Sequence, residues 1–196
     1  LETLPLLADM LSGSDLVTLR DKALLFLGFA GAFRRSELVA VQIEDLTFTT
    51  QGMVVFIPQS KGDQLGAGSE IAIPYAPQKE ICAVRAVRNW MEAAGITSGP
   101  LFRGFKRNLQ PRDTQLNDKA VAEIVKKYMA RLGLDPSDFA GHSLRRGFAT
   151  SAAQHDLNTL EIMRQTRHKS EKMVHRYIEQ GNLFKEKALD KIFNKK

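Results

Sequence analysis

Tyr177, in KSEKMVHRYIEQ, is the residue on which a reaction could be built, because of the side chains that precede it. Upstream lie Arg34 in GAFRRSEL, Lys61 in PQSKGDQ, His142 and Arg145 in HSLRRG, and His168 in TRHKS. Together they offer a nucleophile, two guanidinium clamps, an ammonium and two imidazoles, the parts needed to open a phosphodiester without a metal. A phenol with a pKa of about 10 is a poor nucleophile at neutral pH. It becomes a useful one when cations beside the scissile phosphate stabilise the phenolate and the charge growing on the phosphoryl oxygens. Arginine suits that task, since its planar fork meets non-bridging oxygens through paired hydrogen bonds. Attack would leave a phosphotyrosine and expel a sugar hydroxyl, which a lysine on a loop could protonate. The bond energy stays in the covalent link, so religation needs neither ATP nor any other cofactor.

Spacing supports the grouping. His142 and Arg145 stand at i, i+3 and share one helix face, so both can address one phosphate. Arg34 and Glu37 have the same spacing, which lets the carboxylate hold the guanidinium or a neighbouring imidazole. His168 and Tyr177 are nine positions apart. At about 100° per residue they would face opposite ways on one straight helix, so the chain has to turn between them. Ser170, able to cap a new helix, makes that turn plausible.

The elements that must position these groups follow from periodicity and punctuation. Helices are predicted from Thr3 to Leu11, through LVTLRDKALLFLGFAGAF after a cap at Ser14 or Asp15, and from near Ser36. GMVVFI and EIAIP read as β-strands joined by QSKGDQLGAGS, the Gly-rich loop that carries Lys61. Helix is expected again from Pro77 to Ala94, stopped by Gly95, with Trp90 as a packing residue. GPLFRGFKRNLQPRDTQ reads as irregular and basic, and Asn117 or Asp118 caps the amphipathic KAVAEIVKKYMARLGL. Further helices are expected from His142 to His155, from Asn158 to Thr166, and through Tyr177 after Ser170. The tail LFKEKALDKIF carries apolar residues at helical spacing, a stripe suited to docking. The fold class is therefore mixed α+β, mainly α-helical, with a small antiparallel sheet in its first third.

Composition bounds the rest. A chain of 196 residues with 43% hydrophobic content can bury one sizeable core. Its longest apolar stretch, Ala23 to Phe33, is too short to span a bilayer. With a single cysteine, Cys82, no internal disulfide can form, and a buried inert thiol in a reducing cytoplasm is expected. The N-terminus has no positively charged leader and begins without Met on an apolar run, so a fragment lacking an N-terminal portion is expected. The net charge of +6 favours a polyanionic partner. Basic residues gather in 103–112 and 163–176, and the candidate catalytic set between them favours phosphate contact over a pair of solvated faces. His155 and His175 have no motif around them and are assigned to surface or packing.

The order and wording of these motifs resemble the catalytic domain of the tyrosine recombinase family, the phage-type integrases, from about Leu1 to Tyr177. GAFRRSELVAVQIEDL resembles that family's first arginine motif, which implies catalysis by Arg34 with Glu37 in support. Lys61 falls where the family's strand–loop lysine would, the general acid for the 5′ hydroxyl. HSLRRG matches the His-x-x-Arg box, implying His142 as proton acceptor or donor and Arg145 as second clamp. His168 matches the position that hydrogen-bonds the phosphate, and Tyr177 the nucleophile. The resemblance departs at Ala32 and Phe33, where Thr-Gly-Leu wording is more usual, and the doubled arginines leave a one-residue ambiguity in each clamp. Arg35 and Arg146 are expected to contact DNA backbone or form surface salt bridges; Arg103, Lys106, Arg107 and Lys169 are further DNA-binding candidates.

The resemblance implies site-specific cleavage and rejoining of double-stranded DNA through a 3′-phosphotyrosyl intermediate, by a tetramer on two paired sites. It divides the chain into a catalytic domain, 1–182, and a tail helix, 183–196, which either passes to a neighbouring subunit or packs on its own domain. The N-terminal DNA-clamping domain common in the family is expected to lie outside this stretch of sequence. Taken singly each motif is ordinary, and their joint order is what carries weight. A type IB topoisomerase would use a very similar set, a non-enzymatic DNA-binding protein would need no intact set, and a metal-dependent nuclease would need clustered carboxylates.

Overall fold

A computed structural model describes residues 3–58, 68–168 and 170–182. Three helices open the chain: α1 (Thr3–Met10), α2 (Leu16–Ala30) and α3 (Arg35–Ala40). A three-stranded antiparallel sheet follows, β1 (Leu46–Phe48), β2 (Gly52–Ile57) and β3 (Ser69–Pro74), in that spatial order. Then come α4 (Ala83–Ala94), a hairpin of β4 (Arg103–Phe105) and β5 (Pro111–Gln115), and α5 (Asp118–Arg131). The chain continues with α6 (Ser143–Gln154), α7 (Thr159–Thr166) and α8 (Glu171–Asn182). The mixed, mainly helical class with a small sheet matches the expectation.

Local chemistry explains the boundaries. Asp15 caps α2 by accepting from the Thr18 amide at 3.0 Å, and Asn117 caps α5 by accepting from the Lys119 amide at 2.9 Å. Asn158 and Glu161 exchange two hydrogen bonds at the start of α7, the capping box that its sequence spells. Gly95 ends α4 in the left-handed region, φ 62°. Alternation along β2 and β3 turns Met53, Val55, Ile57, Ile71 and Ile73 into the core.

Two expectations need correction. The stretch 99–115 was read as irregular, yet it holds the β4–β5 hairpin, with Arg103 paired to Gln115. Strand propensity is low there; the pairing is anchored instead by Phe105, whose ring sits edge-on to Trp90 at 6.1 Å. Helix α4 also begins at Ala83, not Pro77, because a 3-10 turn at Lys79–Ile81 intervenes and Cys82 takes the cap position.

Most of the core is one cluster contributed by α1 to α5 and the three-stranded sheet, centred on Leu24, Leu27, Leu38, Val87, Trp90 and Tyr128. Trp90 is the packing residue its position implied, and its indole donates to the Leu101 carbonyl at 2.8 Å. Cys82 is buried. A second, smaller cluster joins α6, α7 and α8 through Ala149, Ala152, Ala153, Ile162 and Val174. Tyr177 packs against this second cluster. Among the described residues no helix is long and apolar enough to cross a membrane.

Candidate active site

The site begins where α2 stops. Gly31 closes the helix, and Ala32 then takes a left-handed conformation, φ 45°. No side chain fits at Gly31, because an added Cβ would lie 2.1 Å from the Phe33 ring. The turn throws Phe33 into the core and starts α3 at once, with Arg34 as its cap residue. Glu37 reaches back and accepts from the Arg34 amide at 2.9 Å, and the same carboxylate pairs with the Arg34 guanidinium. Arg34 is thus fixed by the first turn of the helix it opens.

The last carbonyls of α2 carry the partial negative charge of a helix C-terminus and lack intrahelical partners. Gln165 from α7 donates to the Ala30 carbonyl at 2.7 Å, and in the turn just beyond the helix Arg145 Nη1 from α6 donates to the Ala32 carbonyl at 2.8 Å. Helix α6 can come this close because α2 carries Gly28, where an added Cβ would meet Leu144 at 2.6 Å.

Arg145 is only 4% exposed, and its Nη2 has no hydrogen-bond partner among the described residues. Burial first, then the charges of Arg34 and Arg167, depress its pKa to about 10, so it remains a cation at neutral pH. A buried cationic donor left open is costly unless an anion completes it. Tyr177 lies close enough that a phenolate there would act electrostatically on Arg145.

His168 and Tyr177 meet as the spacing required. The chain leaves α7 at Arg167, passes His168, and begins α8 at Glu171. The two rings stack with centroids 5.9 Å apart and planes inclined by 29°. The Thr166 hydroxyl donates to the Ile162 carbonyl at 2.6 Å, so its oxygen can only accept from the His168 ring nitrogen 2.8 Å away. That bond places the proton of the neutral imidazole on Nδ1. Burial, followed by the charges of Arg145, Arg34 and Arg167, lowers the His168 pKa to about 4.

The other expected residues divide. His142 stands exposed at the cap position of α6, one turn before Arg145, and no hydrogen bond joins its ring to another described residue. Lys61, Lys169 and the tail 183–196 lie outside the described residues. Arg35 forms a half-exposed ion pair with Asp118 at 3.1 Å, and Arg146 is exposed and donates to the Asp138 carbonyl at 3.1 Å. Lys106 and Arg107 are exposed at the β4–β5 tip. Arg103, another DNA-binding candidate, is half-buried and donates to the Pro100 carbonyl at 2.8 Å and to the Ser98 carbonyl. His155 and His175 are exposed. Among the described residues no three His, Cys, Asp or Glu side chains cluster as metal ligands would.

Sequence reasoning missed Arg167. It lies in the basic stretch 163–176, whose composition suggests phosphate contact or a solvated face and not an internal ion pair. In the structure it points inward and forms an ion pair with Glu37 at 2.7 Å. Burial works to raise the Glu37 pKa, but the charge of Arg167 and the hydrogen bonds from Arg34 and Arg167 outweigh it, leaving the carboxyl below its ordinary range. The signal available in sequence was a third arginine directly before the candidate histidine.

The phage integrase family matches residues 4–182. The chain belongs to that family. It is 67% identical over 195 residues to an integrase/recombinase xerD homolog of Selenomonas ruminantium, covering 100% of this chain and 57% of that protein. It is 32% identical over 132 residues to tyrosine recombinase XerA of Pyrococcus horikoshii, covering 67% of this chain and 40% of that one. Among solved structures, the site-specific recombinase XerH bound to a palindromic difH substrate, in a post-cleavage complex, superposes with a TM-score of 0.71 at 18% identity. That match covers 98% of this chain and 51% of the other. At such identity the likeness speaks for the fold alone, the tyrosine recombinase catalytic-domain fold. The chain spans little more than half the length of the first of these relatives and less of the others.

Proposed function

We propose that this domain cleaves and rejoins DNA strands at specific sites by transesterification through a 3′-phosphotyrosyl intermediate. The observation that carries the reading is the buried Arg145 guanidinium, its Nη2 unpartnered among the described residues, with Arg34 and Tyr177 close enough to act on it electrostatically and His168 stacked on Tyr177. In the reaction, Arg145 and Arg34 grip the non-bridging oxygens and the Tyr177 phenol attacks phosphorus. His142 moves a proton at the nucleophile or the phosphate, and His168 hydrogen-bonds a phosphoryl oxygen. Because its neutral form holds a proton only on Nδ1, His168 must gain one on Nε2 to donate there, and an arriving phosphate anion favours that uptake. Lys61 protonates the departing 5′ hydroxyl. The double-stranded DNA is contacted by exposed cations that include Lys106, Arg107 and Arg146, and the working unit is a tetramer on two paired sites, its tails exchanged between subunits. The recombinase names of the relatives and the DNA-bound state of the XerH structure support this reading.

The test uses a pool of random-sequence duplexes, each with one nick. Incubated with the protein, the pool should yield a denaturation-resistant DNA adduct enriched in one sequence, and Tyr177→Phe should yield none. Tight binding without an adduct from the parent protein would point to a non-enzymatic DNA-binding module instead. An adduct spread evenly over all sequences, with relaxation of supercoiled DNA, would point to a type IB topoisomerase.

A further inference from the structure

Arg167 occupies a backbone position that does not suit it. It is the first residue beyond α7 and lies in the left-handed region, φ 55° and ψ 39°, where glycine or asparagine is the favoured terminator. A residue held there has to be compensated by what its side chain does.

What the side chain does is join two parts of the site. Its side chain is 11% exposed and runs from the α7–α8 turn to the α2–α3 turn. Nη1 donates to the Gly31 carbonyl at 3.0 Å and to the Gln165 carbonyl at 2.9 Å. Nη2 donates to Glu37 at 2.7 Å and to the Ala32 carbonyl at 3.4 Å, and the guanidinium carbon sits 5.3 Å from the centre of the Phe33 ring. Glu37 therefore carries two arginines on its two oxygens, Arg34 on Oε1 and Arg167 on Oε2. Arg34 belongs to the phosphate clamp, while the residue after Arg167 is His168, stacked on Tyr177.

We infer that Arg167 is a positioning residue that locks the His168–Tyr177 turn onto the Arg34–Glu37 clamp, so that nucleophile and clamp keep one register. The inference rests on the function proposed above. Arg167 reaches the phosphate only through its neighbours. Among the described residues, the other hydrogen bond from the end of α7 to the end of α2 is that from Gln165 to Ala30. Small displacements of reacting groups cost rate steeply, about a hundredfold for an ångström.

Arg167→Gly keeps the left-handed backbone and deletes the tether, and Arg167→Lys keeps the charge without the fork. Adduct formation on the nicked duplex pool is followed at saturating protein and at half-saturation. Arg167→Gly is expected to lower the saturated rate about tenfold or more while the half-saturating concentration stays within about twofold. Arg167→Lys should recover part of that loss. Independently of DNA, the His168 imidazole titration, followed by NMR, should move upward in Arg167→Gly, since one of the cations facing the ring is gone. The others facing it, Arg145 from α6 and Arg34 from the start of α3, remain, as does Tyr177 from α8. A saturated rate and a His168 midpoint both unchanged in Arg167→Gly would overturn the inference. So would a loss confined to the half-saturating concentration, which would make Arg167 a DNA contact. If the parent forms no adduct but the His168 midpoint still moves, the tether stands and the proposed function fails.

Discussion

The two halves of the site rest on foundations of unequal depth. Arg34 and Glu37 stand on a turn whose Phe33 and Leu38 belong to the large cluster built from α1 to α5 and the sheet. His168 and Tyr177 stand on a hairpin of α7 and α8 whose buried apolar residues, among those described, are Ile162 and Val174, packed against three alanines of α6. The Arg34–Glu37 turn is therefore as stable as the domain, whereas the α7–α8 support beneath Tyr177 can open by itself at lower cost. The lesson is that the polar contacts crossing from one half to the other, from Gln165 to Ala30, from Arg145 to Ala32 and from Arg167 to Glu37, Gly31 and Ala32, matter more than their number suggests.

The sharpest way to break this division is Glu37→Ala. It strips a shared counter-charge from two largely buried guanidiniums, and denaturant melts should show a loss of about 3–5 kcal/mol. Next comes a matched pair of cavities, Leu27→Ala and Ile162→Ala, each costing about 2–5 kcal/mol. The first should lower the global melting transition. The second should show as faster hydrogen exchange confined to α7 and α8, with exchange in α2 and α4 unchanged. Equal global loss from both would remove the distinction between the halves.

A pH titration sharpens the comparison on the weaker side. His168 falls from an ordinary 6.5 to about 4 in the folded protein, among Arg34, Arg145, Arg167 and Tyr177. As pH drops, the unfolded chain takes up this proton before the folded one does. The stability His168 contributes is thus present above pH 6.5 and lost as pH falls through about 4. His168→Gln should flatten the stability–pH curve in that window and leave it unchanged near pH 8. The smallest effect expected is on the strong side. Ala32→Gly relieves a left-handed alanine at φ 45° and should raise stability by about 1 kcal/mol in the same melts.

Much of this was legible in the sequence. Helices with caps and stop signals, such as α2 from Asp15 and α7 from Asn158, could be read because their chemistry is local. The i, i+3 pairing of Arg34 with Glu37 and the turn required between His168 and Tyr177 were also local matters of helix geometry. The β4–β5 hairpin was not legible, since PRDTQ has little strand propensity and its pairing depends on Phe105 finding Trp90. Arg103 and Arg167 escaped for a related reason. An arginine in a basic run looks solvated, and only the fold shows that carbonyls at Ser98, Pro100 and Gly31 wait to receive it.

The central claim is that the Tyr177 oxygen takes over a strand end whose phosphate is held by Arg34 and Arg145. Digesting the covalent adduct and sequencing the DNA-linked peptide by mass spectrometry tests it most directly. The account expects the nucleotide on Tyr177, joined through a 3′ phosphate. Attachment to any other residue, or through a 5′ phosphate, would contradict it.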